Sequence, residues 1–377
     1  MSTEKIVAFV RDVFQTVHEK RRRTLAVLVG ALITVGRVGV AAIGRGITSR
    51  TSFKHKIKQV DRFLSNSGIC VHDWCREIAI TVAGNRPKLM IAVDWTKIER
   101  WPMLVASVVM RRRGTPIYWA TCDWRHLARS QNAFEETFLS MLRTMIPKDV
   151  EVTLLFDRGF RRVSLIRHLK TLGFHFVVRC CSDTHVHGEA WHGALSDMPL
   201  VRGKIHDLGW VKATIDKPEA IRLVALFDHN QKDAWYLFTD LDLPSQDIIK
   251  AYGRRFTIEE VFRDSKNTRY GWSLKEFSVK NNPERLDRML LIIATAYLLV
   301  TLIGLAIQVR GLDRGFRANT AKGQTHSLFQ LGWKGHKLVR WLLASWWRTF
   351  YDFQFDLAAL SCSPNAAHPL INQGGAS

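Results

Sequence analysis

Over the first 84 residues apolar positions recur at helical spacing, and from Arg86 the pattern changes to short apolar runs of strand length. The early part predicts an amphipathic opening helix, a long apolar segment from Thr24 to Ile43 behind the basic run at 20–23, and a further helix within RTSFKHKIKQVDRFLSN. KLMIAVDW, WPMLVASVVM and TPIYWATCDW then predict three strands in an antiparallel meander, with RRRGTP as turn material between the last two. A helix at about 131–146, the strand EVTLLF, a helix near 161–172 and the strand FHFVVRC follow, so strands and helices alternate. HDLGWVKATI, IRLVALF and AWYLFTDL predict a β-rich insertion at about 183–242, after which helix resumes near Gln246 and runs to about Val309 with an interruption at YGWS. The chain thus divides into a helical part at 1–84, a mixed part at 85–310 and a basic, Trp-rich part at 311–377 whose last ten or so residues are expected to be disordered.

Composition narrows the class of partner. The 377 residues carry 55 Lys+Arg against 34 Asp+Glu, a net charge of +21, and residues 1–80 alone hold 14 basic against 6 acidic side chains. Such an excess repels itself unless a polyanion compensates it, which points to nucleic acid, although a membrane surface or ribosomal RNA would draw the same balance, so charge sets the partner class and not the activity. Lys54, Lys58 and Arg62 recur every fourth residue and share one face of their helix, a face suited to a phosphate backbone or simply to water. The six cysteines show no paired CxxC and no zinc spacing, and are expected to be free thiols in a reducing cytoplasm. The N-terminus lacks the basic and apolar regions of a secretion signal. Met289–Ile307 is 19 residues without a charge, long enough to span a bilayer, yet it follows the charged PERLDR directly and is expected to be a buried core helix.

Three acids carry the candidate chemistry. Asp94 ends the apolar run LMIAV, and Asp157 ends VTLLF; two carboxylates at the ends of two buried strands can converge, and then repel each other unless cations lie between them. Hard oxygen ligands of this kind favour Mg²⁺ or Mn²⁺. Taken singly, Asp157 could be a helix N-cap and Asp94 the partner of a cation such as Lys97. In YGRRFTIEEVFRDSK, the residues Tyr252, Arg255, Glu259 and Lys266 fall within an arc of about 60° at the helical 100° per residue, while Glu260 points about 100° away. On its own this stripe also fits a solvated face with Arg255–Glu259 pairing.

The spacing Tyr252, Arg255, Glu259, Lys266 resembles the Y-R-E-K signature of the insertion-sequence-4 family of DDE transposases. KHKIKQVDRFLSN, VDW at the first acid, IEEVFRDSK, YGWSL, ERLDRMLLII and FRANTA extend the likeness over nearly the whole chain. The resemblance implies an α/β, RNase H-like catalytic core with a mixed five-stranded sheet, a β-rich insertion between Asp157 and Glu259, a helical N-terminal DNA-binding domain and a helical C-terminal region. It implies a cut-and-paste transposase in which Asp94, Asp157 and Glu259 hold two Mg²⁺ ions, with Mn²⁺ able to substitute, and element ends are freed through a hairpin. Tyr252, Arg255, Lys266 and Arg179 are implied to face DNA, and Trp235 in AWYLFT to stack on a flipped base, though it equally fits packing between sheets. The implied partners are double-stranded DNA, as terminal inverted repeats and target, and a second copy of the chain, for which Trp341, Trp346 and Trp347 are candidate contacts. A bacterial cytoplasmic location without membrane attachment is expected. A DNA-binding protein that has lost catalysis, or an RNase H-like nuclease that cuts without joining, are the competing expectations.

Overall fold

The computed structural model describes residues 3–110, 113–213, 219–268, 272–274, 277, 282–320, 323 and 325–338. Trp341, Trp346, Trp347 and Cys362 lie outside the described residues. Five helices come first: α1 (Thr3–Val13), α2 (Glu19–Val35), α3 (Val40–Gly46), α4 (Phe53–Ser65) and α5 (Val71–Ala83). The apolar segment expected to run from Thr24 to Ile43 is split at Gly36, which adopts φ 65° and donates its N–H to the Leu32 carbonyl as a left-handed cap. On α4 the predicted alternation holds, with Val60, Phe63 and Leu64 buried and Lys54, Lys58 and Arg62 exposed.

The meander forms as expected from β1 (Lys88–Ile98), β2 (Trp101–Met110) and β3 (Arg113–Thr121), antiparallel throughout. Helix α6 (Trp124–Met145) leads to β4 (Glu151–Phe156), and α7 (Val163–Thr171) leads to β5 (His175–Cys180); both strands run parallel to β1. α6 begins earlier than its apolar periodicity indicates because Asp123 caps it, and it is kinked at Ser130 (φ −135°, ψ 15°). The meander and the two parallel strands give the order β3-β2-β1-β4-β5, the mixed five-stranded sheet that was anticipated.

That sheet does not end at β5. Strands β6 (His185–His187), β7 (His192–Ala194), β8 (Ile205–Ala213), β9 (Glu219–Leu226) and β10 (Trp235–Thr239) continue it, so one sheet of ten strands runs β3-β2-β1-β4-β5-β10-β9-β8-β6-β7. The inserted segment is an extension of the sheet rather than a separate element. An uncovered β5 edge would leave ladder N–H and C=O groups unpaired, and β10 satisfies them antiparallel through Tyr236↔Cys180 to Thr239↔Val177.

Helices α8 (Ser245–Gly253) and α9 (Thr257–Lys266) are joined by one tight 3₁₀ turn, Arg254–Phe256. α10 (Pro283–Val309) follows, and α11 (Leu328–Leu338) crosses it. The most apolar stretch of α10 is wholly buried, packed against β3, α2, α4, α5 and α11, as expected for a core helix. The crossing with α11 is so close that a Cβ on Gly304 would lie 1.9 Å from the Leu328 carbonyl oxygen and one on Gly332 1.8 Å from that of Val300. Side chains alternate across β1: Asp94 and Thr96 meet the segment 254–266, while Trp95 meets α6 on the other face. The sheet is therefore sandwiched between α9–α10 and α5–α6, and the N-terminal helices share its continuous hydrophobic core.

Candidate active site

Strand register places the two aspartates side by side. Val93 is opposite Phe156, and Phe156 opposite Val178, so the next position along these parallel neighbours is occupied by Asp94 on β1, Asp157 after β4 and Arg179 on β5. Adjacent strands are about 4.8 Å apart, so two carboxyl groups and a guanidinium share one short row. Burial pushes the Asp94 carboxyl up to about 6; the Arg255 charge opposes this, and the Asp157 and Glu259 charges reinforce it. The Asp157 Oδ1 accepts the Gly159 N–H at 2.8 Å, so its capping role and its place beside Asp94 coexist. Arg179 donates to the Ala234 carbonyl at 3.2 Å, which holds its side chain along β10.

The third acid arrives from the helical side. Arg255, only 7% exposed, donates to Asp94 Oδ2 at 3.1 Å through Nη1 and to Glu259 Oε1 at 2.8 Å through Nη2. It thus spans the two carboxylates. Burial works against the Arg255 charge, but Tyr252, Asp94, Glu259 and Asp157 outweigh it and raise its pKa. Lys266 donates to the Thr96 hydroxyl two residues beyond Asp94, with its ammonium 5.3 Å from the Phe262 ring centre. Lys97, the partner considered for Asp94 from sequence, is exposed, and Arg255 takes that part instead.

Two of the predicted site residues are buried. Tyr252 is 1% exposed, and its hydroxyl is engaged with Arg255. Trp235 is 8% exposed, with its ring edge-on to Tyr252 at 4.8 Å and tilted against Phe256 at 6.1 Å. The ring packs between β10 and α8, the sheet-packing position that the sequence also allowed.

The face of α9 turned from Glu259 is fixed by a second set of charges. Arg113 on β3 contacts Glu260 Oε2 at 3.3 Å and Asp264 Oδ2 at 3.1 Å, and the Tyr297 hydroxyl of α10 donates to Asp264 at 3.1 Å. These residues sit one turn apart on α9, so Arg113 and Tyr297 define the rotation of the helix and hence the aim of Glu259. Burial raises the Asp264 carboxyl to about 6 against the pull of Arg113. Arg113 escapes a sequence reading because RRRGTP looks like a turn, whereas β3 starts at Arg113 itself. Glu135 and Arg162, which contact one another beside the Asp94 and Asp157 segments, also escape it. Glu135 does leave a signal: it stands in line with Phe138, Leu139 and Leu142 on the apolar stripe of α6, where an acid needs partners.

The sheet order, the paired strand-end aspartates and the glutamate on a late helix fit an α/β core of the RNase H-like class. The family model described as "Transposase DDE domain" matches residues 87–299, more than half of the 377-residue chain, and the chain therefore belongs to that family and is a DDE transposase, an enzyme of DNA transposition and recombination. The match begins one residue before β1 and ends within α10, so it includes Asp94, Asp157 and Glu259. None of the curated proteins compared with the chain matches it.

DDE transposases generally use divalent cations. Among the described residues no group of three His, Cys, Asp or Glu side chains is drawn together at ligating distances. The donor chemistry nevertheless fits: Asp94, Asp157 and Glu259 are hard-oxygen donors, the charges of the latter two disfavour ionisation of Asp94, and a cation, Arg255, already bridges Asp94 and Glu259.

Proposed function

We propose that this transposase excises and reinserts its element by a cut-and-paste route of the insertion-sequence-4 type, similar to that of the insertion sequence 10 transposase. Asp94, Asp157 and Glu259 are the catalytic carboxylates and would hold two Mg²⁺ ions, or Mn²⁺ in their place. The row formed by Asp94 and Asp157, joined to Glu259 through Arg255, is the observation that carries this reading. Bound cations supply charge neutralisation and lower the pKa of an attacking oxygen at a phosphodiester.

The protein's own residues do the rest. Arg255, which spans Asp94 and Glu259 here, would be the guanidinium placed to take a DNA phosphate in a bidentate grip once those carboxylates held a cation. Tyr252 orients that guanidinium, and Lys266 and Arg179 flank the acids with further positive charge. Lys54, Lys58 and Arg62 on the exposed face of α4 bind element-end duplex away from the chemistry. Excision proceeds through a hairpin at the element end, and two copies of the chain pair two ends.

A labelled duplex bearing the element's end, incubated with full-length protein in Mg²⁺ or in EDTA beside Asp157→Ala, tests the reading. Metal-dependent nicking and hairpin product, absent in the variant, support it. DNA binding without cleavage in any divalent metal leaves a binding protein, and cleavage without joining to target DNA leaves a nuclease.

A further inference from the structure

Asp94 and Asp157 are carried by two different segments, and a metal pair needs their separation fixed to a fraction of an ångström. On the face of the sheet opposite the acids, one buried carboxylate touches both segments. Glu135 of α6 is 1% exposed; its Oε1 accepts the indole N–H of Trp95, the residue after Asp94, at 2.9 Å. Its Oε2 accepts from Arg162 Nη1, and Arg162, the N-cap of α7, directly follows the short turn that Asp157 caps. Gln131 Nε2 donates to Oε1 at 2.9 Å from one helical turn earlier. Arg162 is held further by the Asn132 carbonyl at 3.0 Å and by Glu136 Oε1 at 3.2 Å. All of these α6 partners follow the kink at Ser130, so the clamp is made by the straight second half of the helix. The turn itself is pinned by its last residue, Phe160, buried against Phe156 with ring centres 4.9 Å apart.

We propose that Glu135 is a positioning residue for the metal-binding aspartates: by holding Trp95 and Arg162 at once, it sets the distance between Asp94 and Asp157. It touches neither DNA nor metal. Because it acts from behind the sheet and touches none of the basic side chains proposed to hold DNA, its loss alters cation affinity before it alters DNA affinity. This inference rests on the cation-dependent reading given above.

The test uses full-length protein and Mn²⁺ as the probe. Mn²⁺ binding is followed by electron paramagnetic resonance of the free ion, duplex binding in EDTA by gel shift, and folding by thermal melting. Asp157→Asn serves as the control. Glu135→Gln keeps an acceptor for Trp95 and removes the charge opposite Arg162. Trp95→Phe deletes the single N–H donor while keeping a ring against Phe134. Glu135→Gln is expected to weaken Mn²⁺ binding about 10- to 100-fold, the range found for residues that orient ligands from behind, with duplex affinity within about twofold of wild type. Trp95→Phe is expected to shift it the same way by less, and it carries the test if Glu135→Gln does not fold. Unchanged Mn²⁺ affinity in the folded variants overturns the proposal, and so does a parallel fall in Mn²⁺ affinity, duplex affinity and melting temperature, which marks a structural role only. If wild type and Asp157→Asn bind Mn²⁺ alike, it is the carboxylate site itself that fails, and the proposal falls with it.

Discussion

The two aspartates and the glutamate reach the same place by different physics. Asp94 and Asp157 sit where neighbouring parallel strands end their shared ladder, so backbone hydrogen bonds fix their relative height, and the core strands beneath them are almost wholly buried. Glu259 rides on a helix of ten residues whose inner face carries Glu260 and Asp264, and its setting depends on Arg113, Tyr297 and Arg255. A ladder has no titrating group and distributes load over many bonds. A helix held by a few buried ions is sensitive to single substitutions and to pH.

The largest effect tests whether the two halves form one site. Asp94→Asn, Asp157→Asn and Glu259→Gln are each expected to lower the cleavage rate by about 10³-fold or more with duplex binding retained, and the double variants are expected to be little worse than the singles, as for residues that act as a unit. Additive losses in single-turnover cleavage would separate the strand acids from the helix acid.

Next in size is the anchoring of α9. Arg113→Ala leaves Glu260 and Asp264 buried without their guanidinium and is expected to cost about 3–5 kcal/mol in urea unfolding. A loss below about 1 kcal/mol, typical of exposed ion pairs, would show that the helix is held by apolar packing instead.

The pH dependence sharpens the contrast further. Asp264 and Asp94 hold their protons to about 6 in the folded chain, against an ordinary 3.8. Between these values the folded state binds more protons than the unfolded state, so both acids make stability fall as pH rises through the window and level off above it. In EDTA, wild type is expected to lose more stability between pH 4 and 6 than Asp264→Asn does. Cation uptake has the opposite slope: Asp94 must be ionised to hold a cation, so the apparent Mn²⁺ affinity of the metal-free chain is expected to drop by up to about tenfold per unit as pH falls below about 6.

The smallest effect checks that DNA affinity lies outside both halves. Replacing Lys54, Lys58 and Arg62 together by Ala is expected to reduce the salt slope of duplex binding by about 2–3, near 0.9 for each phosphate that is no longer neutralised, with the single-turnover cleavage rate at saturating protein unchanged. An unaltered slope would mark that face of α4 as merely solvated.

The legible parts of the molecule were those written in local pattern. LMIAVD and VTLLFD announced buried strands with an acid at the end; the stripe of Tyr252, Arg255, Glu259 and Lys266, expected on one continuous helix, is instead divided among α8, the 3₁₀ turn and α9. The Met289–Ile307 run announced a core helix, which α10 is. Less legible was the partner of each strand edge. Nothing local in AWYLFT says that β10 will pair with β5, yet that pairing turns the insertion into sheet and draws Trp235 inside against Tyr252.

Sequence alone determined which residues bear charge and which segments prefer helix or strand, and it drew attention to Asp94 and Asp157 at strand ends, because burial pattern and period are properties of neighbouring residues; Glu259 stood out through the resemblance to the family signature. Tertiary structure decided the rest. Only the parallel register of β1, β4 and β5 sets Asp94, Asp157 and Arg179 in one row. Only the packing of α6 and α9 on opposite faces brings Glu135 to Trp95 and Arg162, and Arg113 to Glu260 and Asp264. Those pairings join residues up to 151 positions apart, and a buried ion's partner is chosen by where the folded chain places a counter-charge in low dielectric, which no local pattern encodes.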